Sequence, residues 1–63
     1  MSYRIRECRE ELGLSQEELS KRSGVSRAII SGLESGRTLV TTTDTLIKIA
    51  NALNKKVSDI FLN

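Results

Sequence analysis

Residues 15–37, SQEELSKRSGVSRAIISGLESGR, read as two short amphipathic helices that meet at a glycine turn. Ser15 and Glu18 stand at capping-box spacing, in which each side chain satisfies an open backbone amide of the first turn. Gly24 ends this helix where a left-handed residue is commonly needed, a conformation that glycine adopts without steric cost. Ser26 is placed to cap the second helix, whose apolar Ile30 and Leu33 sit one turn apart. Leu19 and Val25 can join them in a small core, and Ser20 supplies the small residue that steeply crossing helices need. With that side inward, the second helix turns Ser26, Arg27, Ala28, Ser31 and Gly32 outward as a slim polar face, suited to enter a groove. The pattern is a helix-turn-helix over about residues 16–35, and it points to DNA.

The flanking segments extend this unit. Ser2 to Leu12 reads as a first helix with Ile5, Cys8 and Leu12 on one face and Gly13 as its stop, and Leu14 is an apolar staple ahead of Ser15. Gly36 closes the third helix. Residues 37–43, RTLVTTT, contain β-branched residues but no partner strand and read as a loop. Thr41 is the expected cap of the next helix, with Asp44 favourable in its first turn. Leu46, Ile49, Ala50 and Leu53 then form the clearest amphipathic stripe, with Asn54 as a left-handed stop. Ser58 opens a last short turn, and Ile60 and Phe61 seal the core. The expected fold is all-α, five helices in one domain over residues 1–63, with no β-sheet. Its expected core is Ile5, Cys8, Leu19, Val25, Ile30, Leu33, Leu46, Ile49, Leu53 and Phe61.

Composition narrows the functional classes. In a chain of 63 residues a hydrophobic core seldom supplies more than about 3–5 kcal/mol without a staple. One cysteine cannot close an intramolecular disulfide, and with no histidine there is no Cys/His zinc spacing. That usage suits a reducing cytosol, the start MSYRIRECRE is too charged for a signal peptide, and no apolar run reaches membrane-spanning length. A cytoplasmic protein without metal, cofactor or small-molecule ligand is expected. Cys8 lies on an apolar face with no histidine to activate it, so it reads as a buried core thiol. No nucleophile–base pair, metal set or phosphate loop can be assembled, which argues against an enzyme. The net charge of +2 carries little information. Residues 1–37 hold 7 Lys and Arg against 6 Asp and Glu, and residues 38–63 hold 3 against 2, so neither half is a basic tail. The DNA reading therefore rests on geometry and motif.

Three segments, RIRECREELGLSQEEL, GVSRAIISGLESGR and DTLIKIANALNKKVSDIF, occur in the order found in a known family. The chain resembles the lambda-repressor/Cro-type helix-turn-helix family of small regulators, also called the xenobiotic-response-element type, over nearly its whole length. The resemblance implies that Gln16 contacts a backbone phosphate and that Arg27, Ala28 and Gly32 read bases, with Ser26 and Ser31 beside them. It also implies that Arg37 and the following loop, including Thr38 and Thr41, touch phosphates. Arg9 and Glu34 match an Arg and Glu that join the first and third helices. The chain departs from the family pattern at Ser20, usually alanine, and at Ser23, usually apolar. It departs again at Ile29 and Gly32 on the outward helix.

The chemistry of these positions stays open at some of them. Arg27 suits a bidentate grip on the guanine O6 and N7 edge, worth about 1–3 kcal/mol of discrimination, or else a phosphate contact. Ala28 packs on a thymine methyl or is simply a good helix former. Thr41 to Thr43 suit phosphate hydrogen bonds and equally turn or cap chemistry. Leu39 and Val40 cover the local core, or form a dimer interface with Lys56 and Leu62. The leading expectation is a sequence-specific transcriptional regulator, a repressor acting on double-stranded DNA as a homodimer. The rival is a protein-interaction module on the same fold, an antitoxin-like or bridging partner, favoured by weak net charge, Ile29, Leu39 and Val40.

Overall fold

The helix-turn-helix segment forms as its local signals require. In the computed structural model, which describes residues 2–37 and 42–62, Gln16–Ser23 and Arg27–Ser35 are helices (α2 and α3). They follow α1 (Ile5–Glu11) and precede α4 (Thr43–Ala52) and α5 (Val57–Ile60). The capping box at α2 is complete. Ser15 Oγ accepts from the Glu18 amide at 3.0 Å, and the Glu18 carboxylate accepts from the Ser15 amide at 3.0 Å. Gly24 ends α2 at φ 74°, in the left-handed region, and Gly13, Gly36 and Asn54 take similar conformations after the neighbouring helices.

The two serines that depart from the family pattern lace this turn. Ser20 Oγ donates to the Val25 carbonyl at 2.7 Å, and the Val25 amide donates to Ser23 Oγ at 3.1 Å. A hydroxyl in place of an alanine methyl is thus satisfied by backbone groups that the turn leaves open.

The core collects Ile5, Cys8, Leu14, Leu19, Val25, Ile30, Leu33, Ile49, Ala50, Leu53 and Ile60, with Tyr3, Ala52 and Val57 packed around it. Each fully buried Ile or Leu contributes about 1.5–3 kcal/mol relative to exposure. Among the expected core residues Leu46 is only half-buried, and the side chain of Phe61 lies outside the described residues. Leu12 is 45% exposed, contrary to the expected face of α1. The helix ends at Glu11, and the chain reverses at Gly13, so Leu14 takes the interior place, and Arg9 joins Ile5 and Cys8 as a buried residue of α1.

The expected first helix from Ser2 also needs correction. Ser2–Tyr3 (β1) is extended and pairs antiparallel with Phe61–Leu62 (β2), with Ser2 opposite Leu62 and Tyr3 opposite Phe61. The Arg4 amide continues the pairing by donating to the Ile60 carbonyl at 2.8 Å. These backbone groups find partners in the segment after α5, and α1 begins only at Ile5. The five helices stand, but the expected absence of β-sheet does not: two strands of two residues each pair at the two ends of the chain. Two caps also shift by a residue or two. Thr41 lies outside the described residues, and α4 is capped by Thr42, whose Oγ1 accepts from the Thr45 amide at 3.1 Å. The last helix opens at Val57, not Ser58, with the Lys56 amide held by the Asp59 carboxylate at 2.9 Å.

The capping box has a measurable consequence. Ser15→Ala should cost about 1 kcal/mol and lower the melting temperature by roughly 4–8 °C, as read by circular dichroism. The Ser15 amide, and then its hydroxyl, hold the Glu18 carboxyl below the usual carboxylate range. A lowered folded-state pKa stabilises above the unfolded value and is lost as pH falls through the folded one. Stability should therefore decline below about pH 4.3, with a shallower acid slope in Glu18→Gln.

Candidate nucleic-acid interface

α3 is built with one face locked and the other open. Ile30 and Leu33 are buried, while Ser26, Arg27, Ala28 and Ile29 are exposed at its amino end. Ser26 Oγ accepts from the Ile29 amide at 3.3 Å, so its first duty is the cap. Among the described residues Arg27 has no hydrogen bond or ion pair, and its guanidinium is available to a ligand. Gly32 departs from expectation. It is buried, and its carbonyl accepts from Ser35 Oγ at 3.2 Å. Without a side chain and with its backbone covered, it does not belong to the outward face.

The carboxyl end of α3 carries a second polar cluster. Arg37 folds back so that Nε donates to Ser35 Oγ at 3.0 Å and Nη2 to Ser31 Oγ at 3.3 Å. Two of the expected site residues, Ser31 and Arg37, are thereby brought together. Ser35, which the sequence reading passed over, positions them.

A charged clasp holds α3 to α1. Arg9 and Glu34 form a bidentate pair, with Nε to Oε2 and Nη2 to Oε1 both at 2.9 Å. The remaining Arg9 nitrogen, Nη1, donates to the Leu14 carbonyl at 2.7 Å. Their side chains are 11% and 4% exposed, so both charges are largely withdrawn from water. The hydrogen bond that Arg9 donates to Glu34 raises the Arg9 pKa above its already high ordinary value, against desolvation. Gln16 Nε2 joins the clasp by donating to Glu34 Oε1 at 3.3 Å. Gln16 is thus held at the amino end of α2, where the amides of a helix's first turn and its dipole favour an anion.

Between these parts lies a cleft of about 210 Å³, lined by Arg6, Gln16, Ser31, Glu34 and Ser35. It links the first three helices on the side that carries Gln16 and Ser31. Arg6 has no place in the expected site. The signal for it was its position three residues before Arg9, which puts both on one side of a helix. Cys8 is 5% exposed and borders a separate cleft of about 180 Å³ with Arg4, Glu11, Lys55 and Asp59. Among the described residues no group of His, Cys, Asp and Glu is arranged to hold a metal ion, and no helix is long and apolar enough to cross a membrane.

Thr38, Thr41, Leu39 and Val40 lie outside the described residues. Lys56 is exposed beside α5, and Leu62 belongs to β2, its side chain lying outside the described residues.

Comparison with known proteins places this geometry in a family. A helix-turn-helix family model, of the Cro/C1 type, matches residues 5–60. An uncharacterised HTH-type transcriptional regulator of Methanothermobacter thermautotrophicus is 48% identical, covering 92% of this chain and 84% of its own. Two regulators of the same description from Archaeoglobus fulgidus are 42% and 40% identical, each covering 98% of this chain and 86% and 87% of their own. With its capped α2, its glycine turn and its outward α3, the chain belongs to the Cro/C1-type helix-turn-helix family.

Proposed function

We propose that this protein is a sequence-specific DNA-binding transcriptional regulator, a repressor that binds a near-palindromic operator as a homodimer. The observation that carries the reading is the amino end of α3, where Arg27 is exposed and unengaged while the opposite face is anchored in the core. The similar proteins described as HTH-type transcriptional regulators support it.

The work divides between anchoring and reading. The amino end of α2 with Gln16, and Arg37 beside Ser31, hold phosphates and set the orientation of α3. Arg27, with Ala28 next to it, meets base edges in the major groove. Occupancy of the operator then competes with polymerase for the promoter. Selection of duplexes from a random pool, with the bound complex sized by light scattering, tests the proposal. Recovery of a two-fold symmetric site bound by two chains is the expected result. On that site Arg27→Ala should relax the preference at one base-pair position per half-site, while Gln16→Ala should weaken binding to all sequences similarly. The two phenotypes reversed would mean that α3 docks differently.

A second reading, a protein-interaction module, is favoured by Ile29, which is 40% exposed on the same end of α3. Failure to bind any duplex at low salt, together with co-purification of a protein partner, would replace the DNA reading with this one.

A further inference from the structure

We propose that Arg6 is a phosphate anchor, and that the cleft it shares with Gln16 and Ser31 seats one phosphodiester of the bound duplex; the proposal rests on the DNA reading above. Neither the helix-turn-helix match nor the spacing of the α2–α3 motif singles out this residue. Three observations point to it together.

The first is the division of labour between neighbouring arginines on α1. Arg9 is fully used, since Nε and Nη2 are committed to Glu34 and Nη1 to the Leu14 carbonyl. Arg4 is paired with Glu7 at 3.3 Å. Arg6, between them and exposed, has no hydrogen bond or ion pair among the described residues. The second is the company it keeps. The cleft of about 210 Å³ joins Arg6 to the Gln16 side-chain amide and to the Ser31 hydroxyl, while Ser35, which also lines it, gives its proton to the Gly32 carbonyl. Gln16 Nε2 gives one proton to Glu34 and keeps the other. The third is the state of the one carboxylate there. Glu34 accepts from Arg9 on both oxygens and from Gln16 on one, so its charge is already compensated and opposes an incoming anion weakly. An unpaired guanidinium beside hydrogen-bond donors and a helix amino end is a site for a phosphate oxygen pair. The surface pairs Lys21–Glu17 and Lys48–Asp44, by contrast, hold their cations within single helices.

The test uses the full chain and the operator obtained by selection, with Arg6→Gln and Arg6→Lys, titrated over a range of salt concentrations. Arg6→Gln should weaken operator and random duplex by the same factor and lower the log–log salt slope by about 0.9 per protomer. Arg6→Lys should keep the slope, because the charge remains. A neutral methylphosphonate at one backbone position per half-site should weaken binding by the unaltered protein at least as much as Arg6→Gln does, and should cost Arg6→Gln less than it costs the unaltered protein. Melting temperatures should match, since Arg6 has no hydrogen bond or ion pair among the described residues. An unchanged slope and affinity in Arg6→Gln, while the unaltered chain binds its operator, would overturn the anchor and leave the DNA reading in place. Absence of operator binding by the unaltered chain would overturn both.

Discussion

Glu34→Ala should be the most damaging single substitution outside the apolar core, costing about 3–5 kcal/mol in urea unfolding at low temperature. The reason is the company Glu34 leaves behind. Arg9 sits in the α1–α3 seam with its side chain 11% exposed, and among the described residues the loss of Glu34 would leave its guanidinium the Leu14 carbonyl alone as a hydrogen-bond partner. A domain of this size draws roughly 3–5 kcal/mol from its core, so the loss is of the order of its whole stability. Replacing both partners, as Arg9→Met with Glu34→Leu, should cost less than Glu34→Ala alone, because no buried charge is stranded. It should not be free, since the Leu14 carbonyl loses its donor at about 1–3 kcal/mol. Losses that simply add in the double-mutant cycle would show that the clasp is not a coupled unit.

The second large effect concerns the operator. On the described part of α3, Arg27 is the exposed residue with a free charge, and the buried Gly32 offers no side chain to a base. In the proposed complex Arg6 and Arg37 add a small number of phosphate contacts, so one protomer can release few counterions, and its salt slope should be shallow. Few base contacts and a shallow slope leave one protomer poorly able to compete with nonspecific sites. Two protomers on half-sites about 34–36 Å apart gain by effective concentration without any new type of contact. A full operator should therefore bind about 10²–10⁴-fold more tightly than its isolated half-site in a fluorescence anisotropy titration. Equal affinities would mean that a single protomer does the work.

How much of this was legible in the sequence follows from the range of each signal. Ser15 with Glu18, Gly24 and Ser26 act within a few residues, so the α2–turn–α3 unit could be read directly, caps included. Apolar periodicity located Ile30, Leu33, Ile49 and Leu53. It misplaced Leu12, because spacing alone does not say that the chain leaves α1 at Glu11 and brings Leu14 inward. The β1–β2 ribbon was invisible. Strands of two residues have no alternation to read, and their partners lie at opposite ends of the chain.

The site divides in the same way. Arg27 and Ala28 are exposed as helical geometry requires. Helical angle puts Gly32 on the outward face, yet a residue without a side chain is easily covered by what packs around it. Arg9 and Glu34, 25 residues apart, are matched by family resemblance, and their places beside Ile5 and Leu33 set each at the border of an apolar face. Arg6 and Ser35 gained meaning only when α1, α2 and α3 came together around one cleft.

The most direct measurement is a competition titration at physiological salt, with the selected operator set against random duplex of equal length. If α3 reads base edges through Arg27, the unaltered protein should prefer the operator by at least about 10³-fold, and Arg27→Ala should lose about 1–3 kcal/mol of that preference per half-site. Equal affinity for operator and random duplex, or a preference that survives Arg27→Ala intact, would contradict recognition through this helix.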